Sequence, residues 1–441
     1  MEQIHGSSIG IQSAMRLGES VDIYYYTSKT LSKQAIPTIV DNRFYQELTS
    51  LGAGSSTFII SVDQGISDVI LSAKLPVGVV NGPIDYTGLA LPRGWLYHLI
   101  NRVSVRYGSS SQYFWTGDQI LIENLREMPN PTTRDQLYEL GGALMTTVAQ
   151  FAGDNLYAYA YLNLPHNSPN GSMGKPNPFP SELIGQPIVI TLELNPLVGI
   201  FSSTGPGAIQ DAPKQLESAY FQVRQIHAKD AGELMSMPGG NGSAYSLPLK
   251  AFYQNQVDIQ VGNSVGVTVP AGGQKHELLL TGFRNGEVRS IFFWVTKVRD
   301  TIPTPTVPGG AYVKNYDNYI LPKDVELLYN GTVYYRAKNG SSQMWALVTT
   351  ETPPLLQATV LSLSGSTIIS TPKTANWTEI PFAQVFETLS GAHMYVAGKL
   401  IQNAVVNLSI TLPDTDRYNI SLCYSYNSAL MFSGKACEYI F

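Results

Sequence analysis

The sequence predicts an all-β protein built from two tandem antiparallel β-sandwiches. Three observations carry this. Apolar and polar residues alternate with a period of two from end to end, which marks strands with one buried face. Gly, Pro and Asn clusters punctuate the alternation at short intervals. The 441 residues also exceed what one core sustains, since chains split into domains beyond ~250–300 residues.

Composition agrees. Charged residues are 14% of the chain against a typical ~25%, whereas Tyr (26), Gly (39) and Pro (27) are plentiful. Aromatic and β-branched residues suit a pleated, half-buried surface, and Gly and Pro supply turns.

Taken in chain order, Val103, Val105 and Tyr107 fall on one face of residues 102–107, and Arg102, Ser104 and Arg106 on the other. After Pro129-Asn130-Pro131, Thr133 and Gln136 resemble a capping box, and Leu137, Leu140, Leu144 and Val148 recur at helical spacing. One helix is expected there, although Gly141-Gly142 weakens it. In 156–164, Leu156, Ala158, Ala160, Leu162 and Leu164 oppose Tyr157, Tyr159 and Tyr161; in 188–194, Ile188, Ile190, Leu192 and Leu194 oppose Val189, Thr191 and Glu193.

Pro238-Gly239-Gly240-Asn241-Gly242 breaks any regular structure. It divides the chain into a first sandwich at 21–235 and a second at 247–441, with 236–246 as linker and 1–20 as an amino-terminal arm. Each part is large enough for eight strands and long loops. In the second part alternation recurs at 247–261, 276–283, 288–298, 323–337, 344–350, 394–411 and 418–432. Asn285-Gly286, Asn330-Gly331 and Asn339-Gly340 suit tight hairpins that need positive φ. Greek-key or jelly-roll sandwiches are the expected type.

The chemistry is sparse. A net charge of −5 and the lack of a dense basic run argue against an exposed nucleic-acid surface. No stretch reaches the ~18 apolar residues of a membrane span, and the amino terminus lacks the pattern of a signal peptide. Two cysteines, Cys423 and Cys437, fit a reducing compartment rather than a disulfide framework. Sequons at Asn170, Asn241, Asn330, Asn339, Asn376, Asn407 and Asn419 are read as chance in a Ser/Thr/Asn-rich chain.

The six histidines (5, 98, 166, 227, 276, 393) show no zinc spacing, and no nucleophile elbow or phosphate loop is found. Asp63/Asp68, Asp118/Glu123 and Asp414/Asp416 are the local carboxylate pairs; solvated turns or strand ends are the expected role. No catalytic, cofactor or metal residue is assigned. Tyr24-Tyr25-Tyr26, Tyr157/Tyr159/Tyr161, Phe292-Phe293-Trp294 and Tyr334-Tyr335 are the conspicuous aromatics. The tyrosines at 157–161 call for a second packed face, roll against roll or subunit against subunit. Phe292 and Trp294 are expected in a core.

Several segments together resemble the double jelly-roll major capsid proteins of icosahedral double-stranded DNA viruses, the lineage of giant viruses, virophages and polinton-like viruses. The strongest is LINRVSVRYGSSSQYFWTGDQILIENLREM (99–128), a half-buried strand, a turn at Gly108 and a second amphipathic segment ending in Ile120, Ile122 and Leu125. QPIVITLELNPL (186–197), SAYFQVRQIHAKDAGELM (218–235), LLLTGFRNGEVRSIFFWVTKV (278–298), ILPKDVELLYNGTVYYRA (320–337) and YNISLCYSYNSALMFSGKACEYIF (418–441) follow in the family's order. The family's His-Pro is Asn285-Gly286 here and its double glycine is Gly108-Ser109, which marks a divergent member.

The resemblance implies two eight-stranded antiparallel jelly rolls with long inter-strand loops and a few short helices. It implies a non-enzymatic shell protein forming homotrimeric pseudo-hexagonal capsomers, located in the virion. Neighbouring capsomers, minor capsid or penton proteins and an inner membrane are the partners it brings. The alternatives are a minor capsid or spike protein of the same fold, a glycan or glycopeptide hydrolase, and a carbohydrate-binding protein.

Overall fold

The computed structural model describes residues 39–60, 66–78, 84–108, 112–127, 131–162, 186–203, 212–228, 245–247, 275–280, 287–297, 319–339, 377–382, 385–387, 393–395, 399–400, 405–413, 418–426, 429–433 and 436–440. The expected arm at 1–20, most of the 236–246 linker, the Asn285-Gly286 turn and the expected strand at 344–350 lie outside these residues.

Among the described residues, eight strands build the two main sheets of the first unit: β1 (Ile39–Glu47), β2 (Gly54–Ile60), β3 (Ile66–Lys74), β4 (Ile100–Tyr107), β5 (Tyr113–Trp115), β6 (Tyr157–Leu162), β7 (Ile188–Leu194) and β8 (Ser218–Ala228). One antiparallel sheet runs β1-β8-β3-β6 and the other β2-β7-β4-β5. That pair of strand orders is the eight-stranded jelly roll. The alternation read from the sequence is what fills it. Val103, Val105, Tyr107, Ala158, Ala160, Leu162, Ile188, Ile190 and Leu192 are all buried in one core.

The second unit repeats the pattern. Among the described residues, its two main sheets are built chiefly from β9 (Lys275–Leu280), β10 (Glu287–Lys297), β11 (Asp324–Tyr329), β12 (Thr332–Ala337), β13 (Thr378–Pro381), β14 (Val406–Thr411) and β15 (Tyr418–Tyr426). One sheet runs β9-β14-β11-β12, the counterpart of β2-β7-β4-β5. In the other, β10 lies between β13 and β15, as β3 lies between β6 and β8. The expected strand at 247–261 lies outside the described residues apart from Leu247. Residues Tyr245–Leu247 pair with the carboxyl-terminal hairpin at Phe432, Met431 and Leu430.

The β11–β12 hairpin turns where the Asn-Gly dipeptide predicts. Asn330 and Gly331 both have positive φ (49° and 77°), the geometry of a type I′ turn. The Asn330 Oδ1 also accepts the Val405 N–H at 2.8 Å, which ties the turn to the start of β14. Asn330→Ala is therefore expected to cost about 1–2 kcal/mol, from left-handed strain plus one lost hydrogen bond. Chemical denaturation would register it as a lower midpoint at unchanged slope.

Among the described residues, α1 (Trp95–Leu99) inserts before β4, α2 (Gly117–Glu127) follows β5, and α3 (Pro131–Leu140) comes next. The helix expected from Thr133 onward begins at Pro131, where the missing N–H costs nothing. It stops at Gly141-Gly142, with Gly142 at φ 129°. Met145 then bridges to Leu91, so Leu144 and Val148 do not continue the helix. Thr147 instead opens a 3₁₀ turn, where its N–H donates to the Gln150 side-chain oxygen at 3.0 Å.

Candidate functional site

The segment 99–128 folds chiefly as β4, β5 and α2, and its buried polar residues are spent on holding the helices. His98 Nδ1 lies 3.1 Å from Asp118 Oδ1, with both side chains buried. Gln119 donates to Glu123 at 2.9 Å. Asn124 donates to the Tyr97 hydroxyl (3.3 Å) and the Tyr161 carbonyl (2.8 Å), and the Tyr161 N–H donates to the Tyr97 hydroxyl (3.2 Å). Burial pushes that hydroxyl up to about 12, so at neutral pH it serves as a hydrogen-bonding hub. Arg93 stacks 4.2 Å over Tyr138 and pairs with Glu139 at 3.2 Å, docking α3.

The candidate carboxylates are dispersed accordingly. Asp118 faces His98, and Glu123 sits one helical turn on, held by Gln119. Asp68 accepts from the Tyr161 hydroxyl at 2.9 Å and pairs with Arg224 at 3.6 Å. Asp63, Asp414 and Asp416 lie outside the described residues, as do His5 and His166. His276 is buried on β9. Among the described residues no three His, Cys, Asp or Glu side chains converge as a metal site would need.

Two extended surfaces stand out instead. The first is a seam between the rolls. β10 alternates Ile291, Phe293 and Val295 into the second-roll core. Phe292 and Trp294 point the other way and join the first roll's apolar cluster, together with Tyr319, Trp377 and Cys423. The expectation that Phe292 and Trp294 are core residues thus holds for their burial but not for their partner. They knit one roll to the other, their rings stacked with centroids 6.3 Å apart.

The second surface is the outward face of the β1-β8-β3-β6 sheet. The register places Tyr159, Ser72, Tyr220 and Glu47 in one row and Tyr161, Ile70, Gln222 and Tyr45 in the next. Tyr157 follows beside Lys74, whose ammonium lies 5.5 Å from the Tyr157 ring centre. Tyr161 is buried, but Tyr45, Tyr157, Tyr159 and Tyr220 are 37–55% exposed. Among the described residues, none supplies the packed face that the 157–161 tyrosines call for. Charges here are matched within the face: Lys74 pairs with Glu217 at one end and Arg224 with Asp68 at the other.

A smaller apolar row crosses the outward face of β9-β14-β11-β12, where Leu279, Asn407, Leu328 and Val333 lie abreast. Leu279 and Val333 are exposed, as are nearby Val405 and Tyr334. Lys275–Glu277 (3.0 Å) and Arg336–Glu326 (2.5 Å) pair their charges beside it.

Of the sequons within the described residues, Asn330 and Asn339 sit at exposed positive-φ turns, whereas Asn407 and Asn419 lie in β14 and β15.

No known family profile and no curated protein matches the chain. Solved structures do match it in fold. PBCV-1 VP54 fitted into a reconstruction of the virophage Sputnik aligns over 92% of this chain and 98% of its own, with TM-score 0.60 and 12% identity. The PBCV-1 virus capsid aligns over the same shares, with TM-score 0.59 and 11% identity. The Sputnik virophage structure aligns over 92% of this chain and 89% of its own, with TM-score 0.53 and 10% identity. At such identities it is the double jelly-roll fold that is shared.

Proposed function

We propose that this chain is the major capsid protein of an icosahedral double-stranded DNA virus, a structural protein without catalytic activity whose three copies form a pseudo-hexagonal capsomer. The carrying observation is that one chain holds two sandwiches of matching strand order, fixed together by the Phe292–Trp294 seam. Two similar lobes per copy give a trimer six, which suits tiling large facets. The division into 21–235 and 247–441, joined by 236–246, belongs to this reading.

The fold shared with the PBCV-1 capsid and Sputnik structures supports the reading. So does the engagement of the described candidate carboxylates in buried or paired structural contacts. Neighbouring capsomers, minor capsid or penton proteins and an inner membrane are the partners it brings, with the virion as location and a reducing host compartment for synthesis.

Light scattering and negative-stain electron microscopy of the purified chain test it. Particles of three times the chain mass with a six-lobed outline are expected. A monomer that persists at all concentrations would sink the proposal.

A further inference from the structure

We infer that the tyrosine face of one copy seats against the aliphatic row of the next, so that each copy contributes its first roll to one contact and its second roll to the other. The inference rests on the trimeric reading above and names the surfaces that close it.

A ring of three copies is held by heterologous contacts, and each copy must then present two different patches. The described part of the chain presents two outward sheet faces of that kind, one on each roll. Tyr45, Tyr157, Tyr159 and Tyr220 stand on the first; Leu279, Val333, Tyr334 and Val405 stand on or beside the second. The outer face of an antiparallel sheet is ordinarily polar, whereas Tyr enrichment marks the centres of protein interfaces.

Charge selects the occupant. Copies that each carry −5 repel one another, and contact is least opposed where a face carries little net charge. On the tyrosine face Lys74 is matched by Glu217 and Arg224 by Asp68, with Glu47 at the rim. On the aliphatic row Lys275 is matched by Glu277 and Arg336 by Glu326. Such faces give no purchase to nucleic acid or an anionic membrane, which need a surplus of Lys and Arg. They suit another copy of the same protein.

Size is consistent with this. Four strands at ~4.8 Å spacing and five residues at ~3.3 Å give on the order of 300 Å² of sheet per face. That makes a dry centre for an interface to which each partner contributes roughly 800 Å².

The test uses the full chain and two double variants, Tyr159→Ser with Tyr220→Ser and Leu279→Ser with Val333→Ser, with circular dichroism confirming that each is folded. Native mass spectrometry is expected to show trimers for the unmodified protein. Each variant should dissociate, with a dissociation constant raised at least ~30-fold, as for hot-spot truncation. An equimolar mixture of the two should give heterodimers but no trimer, because only one good pair of faces can form.

Trimers that persist in either variant would overturn the pairing while leaving the trimeric reading intact. A monomeric unmodified protein would overturn both. A tyrosine-face variant that stays trimeric but loses binding on a glycan array would assign that face to sugars instead. Independently of any substitution, iodination read by peptide mass spectrometry should label Tyr45, Tyr157, Tyr159 and Tyr220 in protein dissociated by dilution and spare them in the trimer. Equal labelling in both would also overturn the pairing.

Discussion

Replacing Trp294 with alanine is expected to cost about 3–5 kcal/mol, the usual range for truncating a fully buried aromatic, and to turn one heat-unfolding transition into two. Trp294 is 3% exposed yet contributes nothing to the second roll's own core. It belongs to the cluster that spreads from the first roll, with Phe292, Tyr319, Trp377 and Cys423. Its removal leaves both cores packed and hollows out the seam between them. Differential scanning calorimetry reads this directly. Ile291→Ala is the control, because Ile291 lies in the second-roll core; it should lower Tm without splitting the transition. A single transition at unchanged Tm in Trp294→Ala would mean that the seam does not couple the rolls.

Gly117→Ala is the second large effect, in a position where helix propensity alone would predict a gain. A Cβ at 117 would overlap the Tyr97 carbonyl oxygen and lie 2.8 Å from the Ile100 carbonyl oxygen. Both are main-chain atoms, one within α1 and one at the start of β4, so neither can swing aside. The start of α2 would have to lift away, straining Asp118 against His98 and Asn124 against Tyr97. About 3–5 kcal/mol of lost stability is expected, seen as a fall in the denaturant midpoint and in soluble yield. Gly199→Ala, where an added Cβ meets nothing within 4 Å, serves as the mild comparison. A Gly117→Ala protein as stable as the unmodified chain would show that α2 has room to shift.

The strands were the legible part of this sequence, for a physical reason. Where one face of a strand is buried and the other wet, as in 188–194, the period of two is written in the residues themselves. The Asn330-Gly331 hairpin was equally plain, because few residues tolerate positive φ. The helices were harder. Trp95–Leu99 is buried on every side, so it carries no polar stripe to betray a 3.6-residue period. In α2, Ile120, Leu121 and Ile122 are all buried, and Ile120 and Ile122 mimic strand alternation. The joining seam was hidden for a related reason. Residues 291–295 are apolar on both faces, and alternation cannot say which of two buried faces belongs to which core. Tyr157 and Tyr159 gave the opposite signal, a strand face too aromatic for water. The sequence marked the surface, but only the register of β6, β3, β8 and β1 brings Tyr220 and Tyr45 onto it.

The strand order of the first roll also sets a timetable for synthesis. Among the described residues β1 pairs with β8 alone, with Ile39 opposite Ala228, so that partner leaves the ribosome roughly 190 residues later. At ~5–20 residues per second that is a wait of about 10–40 s. Throughout it the nascent chain carries an unpaired edge and a half-made apolar core. Closure of the roll is thus postponed until almost all of its strands exist, and a mature lobe appears in one late step rather than growing strand by strand. In a cell producing many copies at once, neighbouring nascent chains would compete for those same waiting edges, which makes spacing along the messenger and the supply of chaperones determinants of yield.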